Sequence, residues 1–403
     1  LAFLAYNANK KADYWHSTMN PQDFVSSSAG QAIRSPKGYW AFIPAPLPPS
    51  LNWTAQLVSL AGEAERALAE LSAVGKSFPA PHVLTSSFIR QEAVMSSRIE
   101  GTHATLEEIY QYEAGVTSTQ PKSDAKEVHN YVSALDHGLS RLSTLPVSLR
   151  LIRELHEHLM KGVRGDLWTP GEFRRSQNWI GPAGSTLESA PYVPPPVDEM
   201  LESLNQLERH IHAPSDIPPI ARVGLIHYQF EAIHPFLDGN GRVGRLLIVL
   251  LLCQWELLPQ PLLYLSNYFE RHRSEYYARL LAISQQGKWE EWLTFFLVGV
   301  RDQAREATIR IQKLQELREK YYSKFVAERR TARLQQLVDF LIGHPIVTIS
   351  QVQVALKVRD FKTAQRYIAK LQDAKILAEI TGKSRNRLFR ANEILRAIEE
   401  PVT

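Results

Sequence analysis

The chain has 403 residues, 44% of them hydrophobic, which is enough apolar content for two or three ordinary cores. Its one cysteine, Cys253, excludes an intramolecular disulfide and points to a reducing, cytoplasmic setting, and the longest apolar run, Leu246–Cys253, is far short of the ~20 residues that span a bilayer, so no membrane partner is expected. Charge is unevenly spread: residues 301–403 hold 21 Lys+Arg against 12 Asp+Glu, a net of +9 that leaves −5 for residues 1–300 out of the whole-chain +4, and any nucleic-acid question therefore belongs to the tail.

Taken in order, residues 1–52 show weak periodicity and close on the proline-rich Ile43-Pro44-Ala45-Pro46-Leu47-Pro48-Pro49, which predicts an irregular N-terminal arm. The opening Leu1-Ala2-Phe3-Leu4-Ala5 lacks a basic segment, so no secretory leader is expected. From Trp53 the spacing of Leu57, Leu60, Ala61 and Ala64 is helical and opens a helical region over 53–135. A second helix is expected from about Ser86 to Ile99, stopped by Gly101, and Thr105-Leu106-Glu107-Glu108 reads as a capping box for the next.

Residues 136–300 read as the core. Leu145–Val163 carries Leu149, Ile152, Leu155 and Leu159 on one face, with His156 as a structural histidine. Gly171–Gly181 and Tyr192–Pro196 flank a Gly/Pro/Ser-rich tip and predict a β-hairpin. Ile217–Ile233 is a helix buried through Val223, Ile226, Phe230 and Ile233, and His227 on it reads as structural. Trp289, Trp292, Phe295 and Phe296 at helical spacing read as core packing. Residues 301–329, without Gly or Pro, predict a charged linker helix. In 330–403, Leu334, Val338 and Leu341 mark one helix, Ser350 caps a second over Gln351–Leu356, and Asp360 caps a third with Ala364, Ile368 and Leu371 buried. Leu377–Thr381 and Arg387–Arg390 then flank a basic tip.

The chemistry concentrates in Ile233-His234-Pro235-Phe236-Leu237-Asp238-Gly239-Asn240-Gly241-Arg242-Val243-Gly244-Arg245. Gly239 and Gly241 lack Cβ atoms, so backbone N–H groups can converge, and the helix opening near Arg242 adds its own free N–H groups and positive dipole end. That is an anion site suited to phosphates. Arg242 and Arg245 can fork onto phosphate oxygens, Asp238 offers a hard oxygen for Mg²⁺, and His234 can accept a proton near neutral pH. The residues by themselves say nucleoside triphosphate, metal, and a base for an attacking hydroxyl.

This stretch resembles the Fic signature, His-x-Phe-x-(Asp/Glu)-Gly-Asn-Gly-Arg-x-x-Arg, at every fixed position. The resemblance implies a mainly α-helical bundle with a β-hairpin flap, and an enzyme that moves AMP from ATP onto a Ser, Thr or Tyr hydroxyl of a target protein or of itself. It implies His234 as the catalytic base and Asp238 as the Mg²⁺ ligand. Gly239, Asn240, Gly241, Arg242, Gly244 and Arg245 would hold ATP, Asn240 through its amide as well as its backbone. Ile180 and Gly181 of the flap and the pair Tyr276–Tyr277 would complete the ATP site; Ser284 stands where some relatives have an asparagine. The target would dock along the flap edge. Ser96-Ser97-Arg98-Ile99-Glu100-Gly101 resembles the family's inhibitory motif, which would place Ser96 and Glu100 against Arg245 and restrain transfer; in some relatives that glutamate also serves AMP removal. The tail resembles a winged helix, whose basic residues Lys362, Arg366, Lys370, Lys383 and Arg385 suit DNA contacts. The competing reading is a DNA-binding regulator that senses nucleotide through its Fic domain. Monomer and homodimer both remain open.

Overall fold

The computed structural model describes residues 18–24, 28–115, 123–163, 169–182, 184–326, 331–383 and 385–400. The opening five residues, most of the arm's first third, the end of the expected linker (327–329) and one residue in each of the two expected hairpin tips (183 and 384) lie outside them.

The arm is more regular than expected. Strands β1 (Gly30–Arg34) and β2 (Trp40–Pro44) pair antiparallel around the turn Ser35-Pro36-Lys37-Gly38, in which the Gly38 N–H donates to Ser35 O and φ of Gly38 is 93°. Pro36 and Gly38 were a readable turn signal. The arm is tied to the body: Phe24, Phe42 and Tyr192 form one aromatic cluster, and the Phe42 N–H donates to Val193 O at 2.8 Å.

Helices follow. α1 (Ala55–Ser77) is capped by Thr54 and packs along α11 (Trp289–Ser323). α2 (Pro81–Ile99) begins a turn earlier than predicted because Pro81 at its first turn carries a φ already suited to a helix. The capping box at Thr105 opens α3 (Leu106–Glu113) as expected. After α4 (Ser123–Arg141), helix α5 (Leu149–Met160) is shorter than predicted: Ser148, extended and accepting from the Leu151 N–H, starts it after Pro146. α6 (Val197–His212) leads to α7 (Pro219–Ile233) and α8 (Asn240–Gln254). Nearly every residue of α7 and every residue of α8 from Asn240 to Leu252 is buried. A helix apolar on all sides belongs in the centre, so this pair is the axis around which the others are layered. Helices α9 (Ser266–Arg271) and α10 (Arg273–Gln286) cover one end. The aromatic residues Trp289, Trp292, Phe295 and Phe296 are buried, as their spacing indicated.

Residues 301–323 are no separate linker. They continue α11, a helix of 35 residues that starts in the core and reaches the C-terminal unit. That unit comprises α12 (Thr331–Gly343), β3 (Ile346–Thr348), α13 (Ile349–Ala355), α14 (Phe361–Asp373), β4 (Ala378–Glu379), β5 (Leu388–Arg390) and α15 (Asn392–Glu399), with antiparallel strand order β3-β5-β4. Asp360 caps α14 as expected. Thr348, not Ser350, caps α13, because Thr348 makes the reciprocal capping box with Gln351. The unit grips α2: Ser87 Oγ donates to Ile342 O, and a Cβ added at Gly343 would lie 3.1 Å from Val83 O. Arg390 also donates to both carboxylate oxygens of Glu107 on α3, at 3.0 and 2.9 Å.

The expected flap hairpin is mostly irregular. A single antiparallel bridge, Ile180 to Tyr192, joins its two arms. Gln177 Nε2 donates to Pro194 O, and prolines 194–196 supply no N–H groups, so a regular ladder has too few donors there.

Candidate active site

The loop between α7 and α8 is held by polar side chains from three sides. His234 ends α7 in the left-handed region, φ 49° and ψ 61°, unusual for a residue with a Cβ. Its carbonyl accepts from Arg174 Nε at 3.1 Å and Asn178 Nδ2 at 3.2 Å. Inside the loop, Asn240 closes a reciprocal pair with Phe236: its Oδ1 accepts from the Phe236 N–H and its Nδ2 donates to Phe236 O, both at 2.8 Å. This corrects the expectation that the Asn240 amide would face phosphates, since both ends of it are spent on the loop and Asn240 is buried. Asn240→Ala leaves the buried Phe236 N–H without that acceptor and should cost about 2 kcal/mol, read as a lower urea midpoint. A wild-type midpoint in that variant would show that the amide does not brace the loop.

His156 is structural in a more specific sense than predicted. Its Nδ1 accepts from the Gly171 N–H at 2.9 Å, and its Nε2 must donate to Asp238 O at 3.1 Å, because a carbonyl only accepts. Burial holds it neutral, down to about 4, and its ring stacks on Phe236 at 3.8 Å. It therefore joins α5, the flap entrance and the Asp238 loop. His227 is buried between Gly244 O and the Tyr276 hydroxyl, also neutral at about 3 through burial.

The two arginines turn to different partners. Arg242 Nη1 donates to Glu127 Oε2 on α4 at 3.3 Å and its Nη2 stands 3.8 Å from Asp238 Oδ1. Arg245 turns to the C-terminal end of α2, where Ser96 Oγ accepts from Nε at 2.8 Å, Ser96 O from Nη2 at 3.1 Å, and Glu100 Oε1 from Nη2 at 2.6 Å. The Arg245 side chain is 1% exposed and that of Glu100 12%. Burial would push the Glu100 carboxyl up, but the Arg245 guanidinium beside it wins and holds it below the usual range. Gly241 makes room for this arrangement: a Cβ there would overlap the Glu100 carboxylate and crowd Arg245 Nη1.

A small cleft lies beside His234, lined by Ile180, Tyr192, Tyr228, Glu231, Tyr277, Leu280 and Ser284. Its mostly apolar walls with a few polar groups suit the face of a flat heterocycle. Ile180 and Tyr277 line this cleft. Tyr276 does not: it is 1% exposed and its hydroxyl bonds His227 inside the core. Gly181 and Gly244 leave no room for a side chain. A Cβ at Gly181 would crowd Ser185 and Pro191, and one at Gly244 would overlap the Glu231 carboxylate. Sequence reading missed Arg174, Asn178 and Glu231. The Gly-Glu-Phe-Arg run signalled the first; nothing in the pattern singled out the other two. Burial pushes the Glu231 carboxyl up to about 8, so it is mostly protonated at neutral pH.

Among the described residues no three His, Cys, Asp or Glu side chains converge to hold a metal ion by themselves. Asp238 still fits Mg²⁺ as a lone carboxylate ligand: its Oδ1 accepts from the Gly239 N–H at 2.7 Å, it is partly exposed at the loop, and phosphates and water complete such sites. Lys362 and Arg366 are exposed on α14 and Lys370 is half-buried, while Lys383 and Arg385 are exposed between β4 and β5.

Residues 58–140 match the Fic/DOC family N-terminal model, and residues 146–252 match the Fic/DOC family model. The chain carries the Fic/DOC family N-terminal and Fic/DOC domains. It is 28% identical over 247 residues to protein adenylyltransferase Fic of Drosophila willistoni and 27% over 234 residues to that of Drosophila erecta, 57% and 56% of this chain. Those alignments take in 45% and 43% of the relatives, so this chain spans less than half the length of the curated proteins it matches. A Fic family protein from Desulfovibrio desulfuricans G20 superposes with a TM-score of 0.57 at 21% identity, over 86% of this chain and 98% of that one, which establishes the shared fold. No helix among the described residues is long and apolar enough to cross a membrane. The comparisons lend no support to the DNA-binding regulator.

Proposed function

We propose that this Fic chain is a protein adenylyltransferase, transferring AMP from ATP to a Ser, Thr or Tyr hydroxyl of a target protein or of itself, and that Glu100 restrains it. The observation that carries this reading is the buried Glu100–Arg245 pair beside an intact His234 loop. A carboxylate occupies the cation that would otherwise meet the outermost phosphate, which has a purpose only if something there is worth restraining. The relatives' name, protein adenylyltransferase, supports it.

In the reaction the target hydroxyl oxygen attacks the α-phosphorus, the bond from that phosphorus to the α–β bridging oxygen breaks, and pyrophosphate leaves with that oxygen. The hydroxyl proton goes to His234. His234 Nδ1 faces Glu231 O at 3.3 Å, so Nδ1 carries the ring proton and Nε2 holds the basic lone pair. Burial holds the imidazole down to about 4 and hence unprotonated, and a bound triphosphate moves it back up by its negative charge. The free N–H groups at the start of α8 hold phosphate oxygens, with Arg242 beside them and Arg245 once Glu100 has moved. Asp238 would hold Mg²⁺, which supplies charge neutralisation on the leaving pyrophosphate. The cleft lined by Tyr277 and Ile180 takes the adenosine, and a target segment lies along the flap.

The tail reads as a winged helix, supported by the order helix, strand, two helices, two strands in residues 331–390. The single cysteine supports the cytoplasm as its compartment. Incubation with α- or γ-labelled ATP and Mg²⁺ tests the activity. Protein-bound label from α-labelled ATP alone, raised in Glu100→Gly and lost in Glu100→Gly/His234→Ala, is expected. No label in any variant, with lysate added as target, would remove the enzyme reading.

A further inference from the structure

Arg174 is a buried cation, 2% exposed, whose guanidinium bonds are all to carbonyl oxygens. Nε donates to His234 O, Nη1 to Ser176 O at 3.2 Å, and Nη2 to Pro195 O, while its own N–H donates to Pro235 O at 2.9 Å. Burial pushes the guanidinium down to about 10, so the protein holds this charge against a desolvation penalty. A residue needed only for packing would not be an arginine here, and the identity of its acceptors shows what the charge is for. Ser176 lies on the first arm of the flap, Pro195 on the second, and His234 is the proposed base, held in a left-handed conformation that needs outside support. Asn178, which donates to His234 O and Phe236 O, and Tyr192, whose hydroxyl donates to Ala232 O at 2.9 Å, stitch the same two segments without adding charge.

We propose that Arg174 is a positioning residue for AMP transfer: it ties both arms of the flap to the His234 carbonyl, so that the base and the surface receiving the target hydroxyl are set as one unit. This deepens the adenylyltransferase reading and rests on it. After burial, the Arg174 charge is the next influence keeping the His234 imidazole unprotonated, and Glu100 from α2 acts in the opposite sense.

The test compares Arg174→Gln and Arg174→Lys in the Glu100→Gly background. It reads kcat and the ATP KM with α-labelled ATP, the pH dependence of kcat, and separately the His234 ring titration by NMR of ring-labelled histidine, assigned with His234→Ala. Arg174→Gln should lower kcat by about tenfold to a hundredfold with the ATP KM within about twofold. It should also move both the acid limb and the ring titration to higher pH. Arg174→Lys keeps the charge and should keep the titration, but recovers only part of kcat, because one ammonium cannot span three carbonyls. Unchanged kcat in either variant overturns the proposal, and so does a joint loss of kcat and ATP affinity with an unmoved titration, which marks a merely structural arginine. Should Arg174→Gln not fold, the lysine variant alone decides by its kcat. Should the Glu100→Gly parent transfer no AMP, the adenylyltransferase reading fails while the ring titration still reports on Arg174: a shift in Arg174→Gln supports its hold on His234, and none overturns it.

Discussion

Glu100→Gly should lose about 3 kcal/mol of stability without nucleotide and regain most of it when ATP and Mg²⁺ are added. The Arg245 guanidinium is almost fully buried, and removing the carboxylate leaves it paired only with the hydroxyl and carbonyl of Ser96. Breaking a buried pair from one side costs roughly 3–5 kcal/mol, because the remaining charge stays desolvated. An added glycine next to Gly101 costs up to about 1 kcal/mol more in chain entropy, so Glu100→Gln, which removes the charge but keeps the length, is the control. A triphosphate returns an anion to Arg245, so the ATP-dependent rise in denaturation midpoint should be much larger in the variants than in wild type. Equal rises would mean that Glu100 and phosphate do not compete for Arg245.

Stability should peak near pH 7 and fall by about 3 kcal/mol per pH unit between pH 6 and 5. Burial lowers six histidines, five of them strongly: His156, His210, His234 and His344 down to about 4, and His227 to about 3, with His158 lowered less. Their folded values lie below the unfolded value of about 6.5. As pH falls through 6.5 the unfolded chain takes up protons that the folded chain refuses, so stability present above that pH is lost toward 4. Four carboxyls act oppositely through burial, two of them strongly: Glu231 is lifted to about 8 and Glu92 to about 7, and Asp136 and Glu399 are raised less. Their folded state binds protons first, so falling pH stabilises from about 8 down to the unfolded value near 4.5. Above about pH 7 the two carboxyls decide the slope; below it the five histidines outweigh them. Urea midpoints at pH 5.5, 6.5, 7.5 and 8.5 check the dome, and a midpoint still rising as pH falls from 6.5 to 5.5 would contradict it.

Much of this was legible because it is local. Capping at Thr105 and Asp360, the glycine loop before α8, and the aromatic stripe of Trp289 to Phe296 each depend on residues within two turns of each other. The Glu100–Arg245 contact spans 145 residues and was readable only through the family resemblance. What escaped was set by partners far away in the chain. The Asn240 amide looked like a ligand donor because the Phe236 peptide that consumes it cannot be seen in a pattern. Tyr276 and Tyr277 are adjacent and alike in sequence, yet helix geometry turns one into the core and leaves the other on the cleft. The flap looked like a hairpin because Gly and Pro bound it, but the same prolines withhold the N–H groups a ladder requires.

Helix α11 also sets how this molecule can be divided. Its 35 residues extend about 52 Å, and the side-chain contacts along it change owner without a break. Trp292 Nε1 donates to Gly224 O in the core, Arg301 pairs with Glu63 on α1, and Arg310 Nη2 donates to Glu400 O in the tail. A fragment ending at residue 300 would keep every atom of the His234 loop and still lose the Arg301–Glu63 pair and the later turns of the helix that packs along α1. Its loss of activity would then be mistaken for a requirement of the tail in chemistry. The same continuity bears on descent: a recombination point inside 301–323 gives a working protein only if both parents agree on the phase of one helix, so the two halves are expected to be inherited together rather than exchanged.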